Sequence, residues 1–109
     1  MEPRLPAQLE VGALIRLVEA AGGFATVLRK GERDGGTILV VLTEKGGNTR
    51  VFERMPRPDG TREWCLAKAE DPENRQEIQE WLARRGNQDP DLWIVELDIV
   101  NGERFIRSG

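Results

Sequence analysis

The sequence has 109 residues, with 16 basic and 19 acidic side chains and a formal net charge of −3. This length fits one domain over residues 1–109, and the small negative charge does not favour binding to nucleic acid or to an anionic membrane. There is no histidine and one cysteine, Cys65, which excludes a histidine-activated nucleophile, an intrachain disulfide and a cysteine-rich zinc site. We therefore expect no cofactor, no metal and no enzymatic activity.

From the residues at its two ends, we expect no targeting signal. Residues 1–4 do not open a signal peptide, because no apolar segment follows a basic start. The longest aliphatic run, residues 38–42, is much shorter than the ~20 residues that span a bilayer. The sequence thus predicts a cytoplasmic protein with no membrane partner.

Residues 7–21 are predicted to form an amphipathic helix, since apolar side chains recur there at three- and four-residue spacing. Pro6 suits the first turn of this helix, and Gly22 suits its end. Residues 24–30 are predicted as the first strand. The charged, glycine-rich residues 31–36 are interpreted as a hairpin turn, because they lack the lysine of a phosphate-binding loop.

Residues 37–44 form the strongest predicted strand. Its unbroken aliphatic run predicts burial on both faces and hence a central position in the sheet. Gly46 and Gly47 are predicted to form a two-residue type I′ turn, which needs positive φ at both positions. A third strand then covers residues 49–55. The turn sets the predicted cross-strand pairs, which are Glu44 with Thr49, Leu42 with Val51, and Val40 with Glu53.

A fourth strand is predicted at residues 62–68, after a turn at residues 56–60. Two registers with the third strand remain open. One places Arg54 opposite Glu63, an ion pair, and the other places Phe52 opposite Trp64, an aromatic pair. In the second register, basic and aromatic side chains share one face of the two strands: Arg50, Phe52, Arg54, Arg62, Trp64 and Lys68.

Asp71 is predicted to cap a second helix, with Pro72 at its first position and Gly86 at its end. The last strand is predicted at residues 92–99, and its odd-numbered side chains are all apolar and assigned to the core. Those core residues are Trp93, Val95, Leu97 and Ile99. A short, mostly polar tail covers residues 101–109.

The predicted order of elements is α-β-β-β-β-α-β, without internal repeats or linkers. This order predicts an α+β fold in which two helices cover an antiparallel sheet of about five strands. We expect four strands to follow one another as a meander and the fifth to return to the sheet. The pattern leaves open which face each helix covers.

Several stretches resemble the family named domain of unknown function 1491, small proteins of alphaproteobacteria. The resemblance lies in residues 27–40 (VLRKGERDGGTILV), which match the family's first hairpin, and in residues 89–96 (DPDLWIVE). Trp64 and the Arg84-Arg85 pair also match, whereas Glu32 and Gly35 depart mildly from the family pattern. The resemblance covers nearly the whole chain and implies a bacterial cytoplasmic protein of one domain, with no assigned activity.

The candidate binding residues lie on the third and fourth strands. Arginines beside aromatic side chains suit either a protein interface or stacking against nucleotide bases, and they also occur as salt-bridged or solvated surface. We predict that the protein is an interaction or adaptor module that binds a protein partner or itself. Binding of RNA or single-stranded nucleic acid is possible but disfavoured, and a small enzyme using carboxylates or Lys30 is the third hypothesis. The predicted binding residues are Arg50, Phe52, Arg54, Arg62 and Trp64.

Some other side chains receive structural interpretations. Trp64 is predicted to be partly exposed, whereas Cys65 is predicted to be half-buried and structural. Four acidic residues near the C-terminal strand provide oxygen atoms for a cation, but their spacing is not that of a calcium-binding loop. They are interpreted as turn and strand residues instead: Asp89, Asp91, Glu96 and Asp98.

Overall fold

The fold was analysed in a computed structural model that describes residues 5–106, so the predictions for residues 1–4 and 107–109 lie outside the described part. The order of elements and the α+β class are confirmed. No helix within residues 5–106 is long and apolar enough to cross a membrane. The elements are α1 (Ala7–Ala20), β1 (Phe24–Arg29), β2 (Ile38–Glu44), β3 (Gly47–Pro56), β4 (Arg62–Ala69), α2 (Gln76–Gln88), β5 (Trp93–Asp98) and a 3-10 helix (Gly102–Phe105).

The strands form one sheet in the order β1-β5-β2-β3-β4. β5 enters between β1 and β2, antiparallel to β1 and parallel to β2. The predicted four-strand meander is therefore wrong at its first step, since β1 and β2 are not neighbours. The physical reason is that residues 92–95 are buried on both faces, and a strand of that kind belongs in the interior of a sheet.

Residues 31–36 are accordingly not a hairpin turn, because they carry the chain past the start of β5. Glu32 N–H donates to the carbonyl of Asp91 at 3.0 Å. At Gly31 and at Gly36, a Cβ atom would lie 2.2 Å from the Asp91 carbonyl oxygen, so both positions need glycine for this close approach. The glycines thus allow residues 31–36 to cross close to the segment that leads into β5.

The sheet separates two apolar layers. On one face, β2, β5 and Phe52 pack against α1, and on the other face β2, β5 and Val51 pack against α2. Burial of residues 38–42 on both faces is confirmed, and so is the core position of Trp93, Val95 and Leu97. Ile99 is partly buried against the α1 layer.

The predicted register between β2 and β3 is wrong. The two turn residues are Lys45 and Gly46, with φ of 54° and 79°, and Glu44 lies opposite Gly47. The Asp98 carboxylate accepts hydrogen bonds from the backbone N–H groups of Lys45 and Gly46, at 2.8 and 2.9 Å. These hydrogen bonds to Asp98 of β5 stabilise a turn that lies one residue earlier in the chain than the turn predicted at the two glycines. The observed pairs include Leu42 with Arg50 and Val40 with Phe52.

Neither predicted register between β3 and β4 is observed. Arg54 lies opposite Trp64, and Phe52 lies opposite Leu66. A register shift next to Phe52 places Lys68 opposite Val51, on the α2 side of the sheet. Lys68 therefore leaves the predicted basic face and forms an ion pair with Glu77 of α2, at 2.6 Å.

The predicted ends of the second helix are also wrong. α2 begins at Gln76, five residues after Asp71, whose carboxylate instead accepts the Glu73 N–H at 2.9 Å in a local turn. An aspartate side chain that bonds the backbone two residues ahead favours a turn over a helix start. At the other end, the helix continues through Gly86, which is buried, to Gln88.

The β2–β3 turn gives a direct test of register. Gly46→Ala is expected to lower the free energy of unfolding by about 1 kcal/mol, because an L-residue is strained at positive φ. Gly47→Ala is expected to change it by less than about 0.5 kcal/mol, since Gly47 does not have positive φ and a Cβ there has ordinary contacts. Urea unfolding of both variants measures the difference. Equal losses would contradict the observed turn.

Candidate functional site

The five predicted binding residues lie together on β3 and β4. Their register places them on the side of the sheet that α1 covers, and Phe52 and Trp64 pack partly buried against the α1 layer. The predicted partial exposure of Trp64 is confirmed. The face is therefore covered in part by α1 and the 3-10 helix, and its outer boundary is β4.

Arg54 is held by α1. Its two terminal nitrogens donate to the two carboxylate oxygens of Glu10, and the Nη2–Oε1 distance is 2.9 Å. The same guanidinium lies over the ring of Trp64, 4.9 Å from the ring centre. A bidentate pair and a cation–π contact together fix one orientation of both side chains.

Arg50 is held by the C-terminal 3-10 helix. Its Nε and Nη2 atoms donate to the Glu103 carboxylate at 2.9 and 3.1 Å, and Nη1 donates to the carbonyl of Asn48 at 2.7 Å. The Arg50 side chain is only 14% exposed. The salt-bridged arrangement, one of the alternatives open from the sequence, is thus the one found for both Arg50 and Arg54.

A third ion pair connects the opposite face of β3 to α2. Both terminal nitrogens of Arg85 in α2 donate to the Glu53 carboxylate at 2.9 Å, and Arg85 also lies 5.4 Å from the ring centre of Trp81. The hydrogen bonds to Glu53 raise the pKa of the Arg85 guanidinium above its usual value. We call the Arg54–Glu10, Arg50–Glu103 and Glu53–Arg85 pairs the β3 ion pairs.

Sequence patterns did not identify the partners in the β3 ion pairs. The members of each pair are 44, 53 and 32 residues apart, so no helical or strand spacing links them. The insertion of β5 did have a signal: the four apolar residues in a row at 92–95, which are typical of a strand buried on both faces.

Arg62 lies at the edge of a cleft of about 270 Å³ between the start of α1, residues 34–36 and β3. Glu10 and Arg54 also line this cleft, so charges of both signs meet there. The face as a whole is therefore not a strip of unpaired positive charge of the kind that binds phosphates.

The prediction for Cys65 is wrong, because its side chain is exposed. β4 is at the edge of the sheet, and the buried α2 layer ends at Val51 on the neighbouring strand β3. A side chain on the α2 side of β4 therefore lies beyond that layer.

The acidic residues near β5 have separate roles. Asp98 holds the β2–β3 turn, and the Asp89 carboxylate accepts the Asp91 N–H at 3.0 Å in the loop before β5. Glu96 lies between Thr26 of β1 and Val41 of β2, and its partial burial raises the pKa of its carboxyl group, with a further contribution from Asp98. In residues 5–106 there is no cluster of three or more side chains able to hold a metal ion.

Comparison with known proteins identifies close relatives of the chain. The model of a family described as a protein of unknown function, DUF1491, matches residues 5–107. A crystal structure of a DUF1491 family protein from Caulobacter crescentus CB15 has 35% sequence identity and a TM-score of 0.81, covering 94% of each chain. An NMR structure of a DUF1491 family protein from that strain has 34% identity and a TM-score of 0.80, covering 96% of this chain and 94% of the other.

A solution structure of a protein from A. tumefaciens is also similar. It has 30% identity and a TM-score of 0.76, covering 95% of this chain and 93% of that protein. A search of curated protein sequences gave no match.

The ion pair between Glu53 and Arg85 is expected to stabilise the fold. Glu53→Gln leaves a partly buried guanidinium without its carboxylate and is expected to lower the free energy of unfolding by about 1–2 kcal/mol. Glu63→Gln is the matched control, because Glu63 pairs with Arg57 where both side chains are about half exposed. It is expected to cost less than about 0.5 kcal/mol in urea unfolding. Equal costs would show that the Glu53 pair has no special role.

Glu96 gives a prediction about pH. Because its pKa is raised in the folded protein, ionisation of Glu96 lowers stability as pH rises from its unfolded pKa through the folded one. Glu96→Gln is therefore expected to be more stable than the original protein at pH 7 and equally stable at pH 3, where the carboxyl group is protonated in both states. Thermal unfolding at the two pH values measures this difference. A constant difference at both values would contradict it.

Proposed function

The chain belongs to the DUF1491 family, and we propose that it acts as a cytoplasmic protein-interaction module rather than as an enzyme. In this proposal, an extended segment of a partner protein pairs with the open edge of β4. The observation that carries the proposal is the combination of an unpaired strand edge with an apolar, uncharged centre. Strand addition of this kind takes affinity from backbone hydrogen bonds and specificity from alternate side chains.

The edge itself is the first support. β4 has eight residues and pairs with β3 on one side, and no strand of residues 5–106 lies on its other side. Pairing with β3 is regular from Arg62 to Leu66, after which the register shifts. Residues 62–66 thus form the straight part of the edge, long enough for a short partner strand.

Two of the charged side chains of β4 pair with side chains outside the strand. Edge strands are usually protected from pairing by charged side chains. Here Glu63 forms an ion pair with Arg57, and Lys68 forms one with Glu77. The intervening residues 64–67 carry no charge, and Leu66 is 56% exposed.

Trp64 supplies a rigid anchor beside this edge. Its ring is stacked with Arg54, which Glu10 holds in turn, so the indole needs little ordering when a partner binds. Partly buried tryptophan with arginine beside it is typical of residues that dominate interface energies.

The alternatives have less support. Nucleic-acid binding through Arg50 and Arg54 would require phosphates to compete with Glu103 and Glu10 for the same guanidinium groups. An enzyme would need reactive side chains gathered in a cleft, and Arg50 and Arg54 are held in ion pairs instead. A second copy of this chain is a possible occupant of the β4 edge, and the following test distinguishes it.

Leu66→Lys is expected to weaken partner binding about tenfold or more, because it places a charge at the centre of the proposed interface. Leu17→Lys on α1 is the matched control, since Leu17 is 55% exposed and Leu66 is 56% exposed. A protein captured from an alphaproteobacterial lysate at low salt would be purified, and its affinity for all three forms measured by calorimetry. Amide hydrogen exchange of the complex should slow at residues 62–66.

Three results would contradict this proposal. Equal affinity of the Leu66→Lys and Leu17→Lys forms would place the contact elsewhere. A dimer that only Leu66→Lys dissociates would make a second copy the occupant. Captured nucleic acid that leaves as salt rises would favour the nucleic-acid alternative.

A further inference from the structure

We propose that a cleft between β1 and α2 binds a small-molecule monocarboxylate with an apolar body, and that Arg29 binds its carboxylate. This cleft lies at the opposite end of the sheet from β4, so the inference is independent of the proposed protein interaction. Four observations carry it: a bulge in β1, a glycine in α2, a partly buried arginine with no carboxylate partner among residues 5–106, and the composition of the cleft.

The bulge determines where Arg29 points. Val27 lies opposite Val95, which belongs to the α1 layer, whereas Arg29 lies opposite Ile94, which belongs to the α2 layer. Regular alternation would have put Val27 and Arg29 on the same face. The register shift at Leu28 therefore turns Arg29 towards α2, and bulges with this effect are common next to functional sites.

Gly86 makes room for the redirected side chain. A Cβ atom at position 86 would lie 3.2 Å from Arg29 Cδ and 3.3 Å from Arg29 Nε, closer than ordinary van der Waals contact. Glycine within a helix is less favourable than alanine. Helix stability therefore does not explain why position 86 is a glycine, whereas the space that Arg29 occupies does. The arginine stem lies directly on the helix backbone.

The Arg29 guanidinium has no hydrogen-bond or ion-pair partner among residues 5–106. Arg29 Nε is buried without a hydrogen-bond acceptor in residues 5–106, and none of the described carboxylates pairs with Arg29. Arg54 Nε is also buried without an acceptor in that part of the chain, but Arg54, like Arg50 and Arg85, has a glutamate as its ion-pair partner. Arg29 thus carries a charge that no described carboxylate balances, and the carboxylate of a ligand would balance it.

The cleft beside Arg29 has a volume of about 360 Å³, within the range of small-ligand sites. Gln79 and Asn87 add neutral amide groups near the guanidinium, while Leu82 and Ala83 provide an apolar wall. The polar and apolar parts of the lining would therefore bind the two ends of an amphipathic ligand.

The charge of the site selects the ligand class. The described lining carries one positive charge and no carboxylate. The forked guanidinium matches the two oxygens of a carboxylate, which carries a single negative charge. A phosphomonoester carries about 1.5–2 negative charges at pH 7, and this lining has no second cation to balance them. The aliphatic wall favours a ligand with a branched apolar group at the end away from the carboxylate.

The test is a titration of the isotope-labelled protein with 4-methylpentanoate, followed by amide chemical shifts. We expect saturable shifts at Leu28, Ala83 and Asn87, with weaker binding of the uncharged 4-methylpentanamide by about tenfold or more. Inorganic phosphate is titrated in parallel and is expected to bind more weakly than the carboxylate.

Two variants assign the effect to Arg29. Arg29→Gln is expected to weaken binding of 4-methylpentanoate about tenfold or more without loss of folding, because the Arg29 side chain makes no hydrogen bond or ion pair within residues 5–106. Arg84→Gln is the matched control, since it removes the same charge from an exposed position on α2. Thermal unfolding checks that both variants fold.

Four outcomes would overturn the inference. The first is no shift at these amides with millimolar 4-methylpentanoate, and the second is equal binding of the amide analogue. The third is tighter binding of phosphate, and the fourth is equal affinity in Arg29→Gln and the unchanged protein. The first three are measured on the unchanged protein, so they do not depend on the folding of a variant.

Discussion

The burial of two adjacent strands on both faces is the constraint on which the structure depends. Residues 38–42 of β2 and residues 92–95 of β5 have almost no contact with solvent. Such strands need a neighbour on each side and an apolar layer above and below. The chain meets these requirements by inserting β5 beside β2, by placing α1 and α2 on opposite faces, and by crossing residues 31–36 past the start of β5.

β3 connects the helices on the two faces of the sheet, because it lies next to the buried strand β2 and carries charged side chains on both of its faces. The β3 ion pairs connect it to α1, to the 3-10 helix and to α2. Arginine suits this position, since its long stem covers apolar surface while its guanidinium makes two parallel hydrogen bonds. The arginines for which a binding surface was predicted therefore form intramolecular ion pairs. The outer part of the α1-covered face of β3 and β4 remains accessible at Trp64 and Leu66.

The two edges of the sheet differ in ways that suit different roles. β4 is regular over its first five residues and uncharged at its centre, which suits pairing with another strand. β1 is interrupted by the bulge at Leu28, which makes it a poor template for pairing and turns Arg29 into the cleft beside α2. The sheet thus has an open strand edge at one end and, at the other, a small cleft beside Arg29, whose side chain has no partner within residues 5–106.

Local patterns in the sequence were sufficient for the element order, the α+β class, the central position of β2 and the core face of β5, because alternation and helical spacing record burial residue by residue. They were not sufficient for strand order, for the register of β3, or for the partners of Arg50, Arg54 and Arg85. Register is decided by contacts such as that of Asp98 with the Lys45–Gly46 turn, and the ion pairs join residues more than 30 positions apart. The exposure of Cys65, and the lack of a partner for the Arg29 side chain in the described part of the chain, likewise depend on which strands lie at an edge of the sheet. The sequence by itself determined which segments form helices and strands and that the centre of β2 and the odd-numbered face of β5 are buried. Only the tertiary structure decided the strand order and which charges meet, because pairing depends on distances between segments that no local spacing encodes.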